Sequence, residues 1–236
     1  MRRASRPSGR IRRRGGDRSS ARSLAGAVVA MSLLAGALPA RWAPTANAQR
    51  PTKRVLLFAA EGDDRRIELV RAAIAFWNRT FEELGLTPVL GDPEVVVASP
   101  STRALENYAW QISRSAGRLA AGSPGPPVPE ELNRFDADIL VLLSAQKLMP
   151  FAWPLAPTAR IFVGVANDPD STRAADRNVI AHELGHALGL EHNPEDPGAL
   201  MCQPCGAGTI GEPAGFLPVT AAERARLLEL YGERSQ

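Results

Sequence analysis

All three histidines of the 236-residue chain lie in one short segment, residues 182–192, which reads His-Glu-Leu-Gly-His-Ala-Leu-Gly-Leu-Glu-His. On a helix, His182 and His186 point the same way because they are four residues apart, so two imidazoles can hold one metal ion. Gly189 can adopt a positive φ, which would end the helix and bring His192 round as a third ligand. The spacing therefore predicts a three-histidine metal site.

Three nitrogen ligands are typical of an open metal site. A tetrahedral zinc ion held by three neutral imidazoles keeps its fourth position for water and lowers the pKa of that water. Glu183 lies beside the first ligand, where a general base is needed. A structural zinc site normally closes with four ligands, and only three are visible. Incidental histidines on an amphipathic helix would rarely match this spacing, so we expect a catalytic centre.

The same segment resembles a known family. Residues 182–192 match the HExxHxxGxxH signature of the metzincin zinc endopeptidases, and Ala199-Leu200-Met201 looks like the Met-turn of that clan. Within the clan, both stretches are most similar to the matrixins, the matrix metalloprotease catalytic domains. The resemblance implies that His182, His186 and His192 bind zinc, that Glu183 is the catalytic base and that Met201 supports the site.

The resemblance also implies a fold, an α/β fold of the α+β zincin type. Its parts are a mixed, mostly parallel twisted sheet with an antiparallel edge strand, an active-site helix packed on the sheet, and a C-terminal helix after the Met-turn. Two positions depart from the matrixin pattern. Asn193 stands where matrixins usually have serine, and Cys202-Gln203-Pro204-Cys205 replaces a Tyr-Pro-type sequence.

Apolar patterning predicts the elements that position these residues. Continuous apolar runs indicate buried strands, and apolar residues at helical spacing indicate helices. The predicted strands are 54–60, 94–98, 138–144 as the central strand, 149–155 and 161–165. The predicted helices are 67–84 ended by Gly85, 102–119, and a C-terminal helix that a Thr220–Glu223 capping box opens and that ends near Tyr231. Glu61, Asp63 and Asp64 precede the first helix, where acids suit a helix N-terminus.

The fourth strand has a special position. Pro150 and Pro154 cannot donate to a strand ladder, so residues 149–155 can only form an edge strand. Phe151-Ala152-Trp153-Pro154 occupies the place of the cleft-edge strand in the metzincin clan. An extended peptide or protein substrate would pair with this edge by backbone hydrogen bonds. We expect residues 49–236 to form one catalytic domain that acts as a monomer, with 100–135 as a divergent or inserted stretch.

Cys202 and Cys205 form a Cys-x-x-Cys pair directly after Met201. Such a pair can be a redox motif, half of a metal site or a small disulfide loop. The chain has no other cysteine and no spare histidine to complete a second zinc site. Export would favour the disulfide, which would stiffen the wall beyond the Met-turn.

Calcium is common in enzymes of this kind. Asp168 and Asp170 have oxygen ligands to offer, but no clear calcium motif surrounds them. Acids in a loop before a helix more often act as solvated caps. We therefore expect one zinc ion and count calcium only as an unsupported option.

Charge is divided unevenly along the chain. Residues 1–48 contain ten arginines and a single acid, which leaves 18 basic and 24 acidic residues for 49–236. An arginine-rich start, an apolar run over 24–40 and the small-x-small sequence Ala46-Asn47-Ala48 predict a signal peptide over 1–48. An uncleaved membrane anchor is the alternative. We expect a secreted or extracytoplasmic protein with no other membrane partner, and the acidic remainder argues against nucleic acid as a partner.

These features together predict an exported zinc-dependent endopeptidase. Two other functions fit the same residues. A zinc hydrolase of a non-protein substrate would use identical helix chemistry. A non-catalytic protein could keep the fold and bind peptides in its cleft, although zinc binding alone does not require Glu183.

Overall fold

A five-stranded sheet forms the centre of the computed structural model, which describes residues 52–115, 125–205 and 215–232. Its strands lie in the order β2-β1-β3-β5-β4. Their bounds are β1 Val55–Ala59, β2 Glu94–Val97, β3 Ile139–Leu143, β4 Phe151–Pro154 and β5 Ile161–Val165. Strands β2, β1, β3 and β5 run parallel, and β4 is antiparallel to β5. The predicted mixed sheet with an antiparallel edge strand is confirmed.

Within these ranges, four helices accompany the sheet: α1 Arg66–Glu83, α2 Thr102–Ser115, α3 Arg173–Ala187 and α4 Ala221–Tyr231. A short 3-10 helix spans Glu130–Arg134. Helix α1 ends as predicted, because Gly85 adopts a φ of 72° that residues with a Cβ rarely tolerate.

The two faces of the sheet are covered by different helices. Alternate strand residues such as Leu57 and Val141 pack with α1, α3 and α4 on one face. Their neighbours Leu56 and Leu140 pack with α2 on the other face. Because both faces are covered, β1 and β3 are buried at every residue, which explains their continuous apolar sequences.

Several predicted bounds differ at their ends. Strand β2 ends at Val97 because Ala98 has a φ of 50°, outside the extended region. Helix α2 is described to Ser115, and the predicted continuation to residue 119 lies outside the described residues. The predicted signal segment 1–48 also lies outside them. Within the described ranges, no helix combines the length and the apolar character needed to cross a membrane.

Candidate metal centre

Helix α3 presents two of the three histidines. The Thr172 hydroxyl caps its start by accepting a hydrogen bond from the backbone N–H of Ala175. The helix ends at Ala187, and Gly189 then adopts a φ of 90°. This left-handed conformation reverses the chain, as the sequence predicts, and carries His192 back over the helix.

The three histidine side chains converge on one point. The Nε2 atom of His186 lies 3.1 Å from that of His182 and 3.0 Å from that of His192. The Nδ1 atom of His182 lies 2.7 Å from the carbonyl oxygen of Leu200, and that of His186 lies 2.8 Å from the carbonyl oxygen of Leu190. A carbonyl only accepts, so each Nδ1 carries the hydrogen and each Nε2 keeps a lone pair.

This arrangement fits a zinc ion. Zinc–nitrogen distances of about 2.0–2.1 Å give a tetrahedron whose edges are about 3.3–3.4 Å, close to the observed nitrogen separations. Burial lowers the pKa of His182 to about 4 and also lowers the pKa values of His186 and His192, so all three imidazoles are neutral near pH 7. Neutral imidazole nitrogens that face one another in this way can serve together as ligands of one cation.

Glu183 is the carboxylate of the same centre. It is buried, and burial raises its pKa to about 8. No hydrogen bond within the described ranges involves its carboxylate. A bound dication would act in the opposite direction and favour the charged form. Glu183 is therefore a buried acid whose partner is not supplied by the fold.

A packed floor lies beneath the ligands. Met201 is fully buried, and a Cβ placed on Gly185 would lie 2.5 Å from its Sδ atom and 3.0 Å from the Trp77 ring. The Trp77 indole donates a hydrogen bond of 2.9 Å to the carbonyl of Ala181. The sequence motif alone assigns no role to Gly185. Its position in the helix interior is the available sequence signal, because glycine destabilises a helix there and is usually present for a packing or functional reason.

The metal centre lines an open cleft of about 620 Å³. Strand β4 forms one wall through Phe151, Ala152 and Trp153, and the three histidines and Glu183 line the same cleft. Cys202 and Cys205, which are joined by a disulfide, also line the cleft. The structure thus brings the three histidines, Glu183 and the two cysteines to one cleft, with Met201 packed against Gly185 of α3 and Gly189 in the turn that follows the helix.

Asp168 and Asp170, the residues considered for calcium, lie apart from this centre. Asp168 accepts a hydrogen bond from Lys147 and another from the backbone N–H of Asp170, both at 3.2 Å. Among the described residues, the histidines 182, 186 and 192 are the group whose ligand atoms lie close enough for a metal ion.

No family model and no curated protein matches this chain. Solved structures similar to it include an archaemetzincin from Methanopyrus kandleri, at 18% identity over 76% of this chain and 95% of that chain, with a TM-score of 0.40. Metalloproteinase-II from Bacteroides fragilis is 15% identical over 80% of this chain, with a TM-score of 0.42, and the chain spans only 56% of that protein.

A zinc-dependent peptidase from Methanocorpusculum labreanum is 16% identical over 73% of this chain and 98% of that chain, with a TM-score of 0.34. Since every TM-score is 0.42 or lower, these likenesses do not establish a family for the chain. The function is inferred below from the geometry of the site.

Proposed function

We propose that this chain is an exported zinc-dependent endopeptidase. One observation carries the proposal: the Nε2 atoms of His182 and His192 each lie within hydrogen-bonding distance of that of His186, next to a buried carboxylate that has no hydrogen-bond partner among the described residues. Hydrogen-bonded Nδ1 atoms already fix two of the imidazoles in the orientation that a metal requires. The matrixin-like motifs of the sequence agree with this proposal.

Glu183 is the proposed general base. A bound zinc ion supplies Lewis acidity, which polarises a carbonyl group and makes a bound water acidic near pH 7. The Glu183 carboxylate lines the cleft with His182 and His186, so it can take up a proton from water at that point. The same carboxyl group can then deliver this proton to the departing amine.

Strand β4 is the proposed binding edge for the substrate. It is the outermost strand of the sheet and lines the same cleft as Glu183. Its pairing with β5 uses one side of the strand, so the backbone groups of the other side can pair with an extended peptide. A peptide laid along this edge passes the metal centre in mid-chain, which supports cleavage of internal bonds.

Export is inferred from the amino-terminal sequence and from the cysteines. The arginine-rich start, the apolar run and Ala46-Asn47-Ala48 have the order of a secretory signal. The disulfide between Cys202 and Cys205 agrees with an oxidising destination. The mass of the purified protein's amino terminus would distinguish a cleaved signal from a retained anchor.

The test is cleavage of an unstructured protein by the purified full chain, with new termini identified by mass spectrometry. We expect internal cuts that stop when zinc is chelated and resume when zinc is restored. Glu183→Gln should lower kcat by about 10²–10⁴-fold while zinc content stays at the wild-type level. Glu191→Gln is the matched control, because Glu191 is an exposed glutamate of the same segment.

Three results would contradict the proposal. If wild type and Glu183→Gln hold equal zinc and neither cuts, a binding role or a non-peptide substrate replaces proteolysis. If both variants cut equally well, Glu183 is not the base. Equal loss in Glu183→Gln and Glu191→Gln would likewise remove the special role of the buried carboxylate.

A further inference from the structure

The third histidine is held differently from the other two. His182 and His186 belong to α3, and each Nδ1 is bonded to a backbone carbonyl. His192 is exposed and lies five residues beyond the helix end. Within the described part of the chain, no hydrogen bond reaches its Nδ1 atom. Its position must therefore come from the backbone of its own segment.

Asn193 fixes that backbone against the segment that contains Met201. Its backbone N–H donates to the carbonyl of Met201 at 2.6 Å, and its own carbonyl accepts from the N–H of Gln203 at 3.3 Å. The two segments form an isolated parallel bridge between Asn193 and Cys202. Asn193, the residue directly after His192, is thus held by backbone hydrogen bonds to the segment that contains Met201.

The Asn193 side chain ties the same point to α4. Its Nδ2 donates to Oε1 of Glu223 at 3.3 Å, and its Oδ1 accepts from the backbone N–H groups of Glu195 and Asp196. Glu223 is buried, and its other oxygen accepts from the N–H of Thr220 at 2.7 Å as part of the capping box of α4. One carboxylate therefore serves both the helix cap and Asn193.

Helix α4 also supports the other end of the turn. The Tyr231 hydroxyl donates to the carbonyl of Leu188 at 3.1 Å. A Cβ placed on Gly189 would lie 3.0 Å from the Leu230 side chain. The turn from 188 to 193 is consequently braced by α4 at its beginning and at its end.

We propose that Asn193, supported by Glu223, is a positioning residue that holds His192 in place to bind the metal ion. This inference rests on the proposed function and extends it to residues outside the ligand set. Residues that orient metal ligands typically change metal affinity by about 10–100-fold when they are removed.

The test measures the zinc dissociation constant of the full chain by chelator competition and records the visible absorption of the Co²⁺-substituted protein. We expect Asn193→Ala to raise the zinc Kd by about 10–100-fold and to alter the Co²⁺ bands. Asn78→Ala is the matched control. Asn78 also forms hydrogen bonds with both ends of its amide, in its case to the backbone of Leu90, but it lies in α1 and should leave the Kd unchanged.

A reversed pair separates positioning from general loss of structure. Asn193→Asp alone places two carboxylates against each other and should weaken zinc binding. In the double variant Asn193→Asp with Glu223→Gln, the hydrogen bond is restored in the reverse direction. The amide at position 223 donates it, and the carboxylate at position 193 accepts it. We expect the double variant to regain most of the zinc affinity and the wild-type Co²⁺ spectrum.

If the wild-type chain binds zinc tightly and Asn193→Ala leaves the Kd and the Co²⁺ spectrum unchanged, this inference is overturned but the proposed function is not. An equal loss in Asn78→Ala, or no recovery in the double variant, would also overturn it. Failure of the wild-type chain to bind zinc would remove the proposed function and this inference together.

Discussion

Two carboxylates of this protein, Asp64 and Glu183, are used in opposite ways. Asp64 accepts hydrogen bonds from Nε and Nη2 of Arg66, at 3.0 and 2.6 Å, and from the Arg66 backbone N–H at 2.9 Å. The buried Arg66 guanidinium also donates to the carbonyls of Ser144 and Ala166, directly after β3 and β5. Glu183 is more deeply buried but has no such partner within the described ranges.

The pKa values follow from this difference. Burial alone would raise the pKa of Asp64, but the hydrogen bonds and charge of Arg66 outweigh it and lower that pKa. Burial acts unopposed on Glu183 and raises its pKa to about 8. A buried polar group that forms hydrogen bonds within the fold stabilises the fold. A buried ionisable group without such bonds lowers the free energy of unfolding, and groups of this kind are found preferentially at functional sites.

The largest effect on stability is expected where the satisfied pair is broken. Asp64→Asn leaves the buried Arg66 charge without its counter-ion and should lower the free energy of unfolding by about 3 kcal/mol. Denaturant unfolding measures the loss. Asp136→Asn is the control, because Asp136 pairs with Arg54 at the surface and should cost less than about 1 kcal/mol. Similar small losses in both variants would show that the Asp64–Arg66 pair does not anchor the strand ends.

A smaller effect is expected at the floor of the cleft. In Gly185→Ala the new methyl group must displace Met201 or Trp77, which should cost about 1–3 kcal/mol and weaken zinc binding. Gly62→Ala is the control, because its Cβ would lie 3.8 Å from the nearest atom, in ordinary contact. Thermal unfolding and zinc titration measure both variants. An unchanged melting temperature and an unchanged zinc affinity in Gly185→Ala would contradict tight packing between Gly185, Met201 and Trp77.

The third expected effect is that the two carboxylates change stability with pH in opposite directions. The contribution of Asp64, whose folded pKa is lowered, is complete above its unfolded value and is lost as pH falls through the folded value. Glu183, whose pKa is raised from 4.5 to about 8, destabilises the metal-free protein increasingly as pH rises through that interval.

Glu183→Gln should therefore raise the melting temperature of the zinc-free protein at pH 8, with little gain at pH 4. Asp64→Asn should lower it at pH 7, with a difference that shrinks below pH 4. Melting curves recorded with a chelator measure both series. A gain from Glu183→Gln that does not change with pH would contradict the contrast between the two carboxylates.

Much of the sheet could be predicted from local sequence. The continuous apolar run over 138–144 indicated the central strand, and β3 lies in the middle of the sheet. Pro150 and Pro154 restricted their segment to an edge, and β4 is that edge. Both predictions are confirmed because each depends on a few neighbouring residues. A strand buried on two faces has a continuous apolar sequence, and a proline without an N–H restricts its strand to an edge.

Features that depend on distant contacts could not be predicted in this way. Local sequence predicts Asp64 only as a charge at a helix start, whereas its partner Arg66 donates hydrogen bonds to carbonyls 78 and 100 residues away. In the sequence Asn193 is only a departure from the matrixin pattern, whereas in the structure its side chain bonds Glu223, 30 residues further along the chain. Gly185 could not be assigned a role without knowing that Met201 and Trp77 meet above it.

The most direct test of the account is X-ray absorption at the zinc edge of the purified full chain, with His186→Ala beside it. We predict one zinc ion per wild-type chain, with three imidazole nitrogens and one oxygen at about 2.0–2.1 Å, and its loss in His186→Ala. Sulfur at about 2.3 Å, a fourth protein nitrogen, or zinc retained unchanged without His186 would contradict an open site built from His182, His186 and His192.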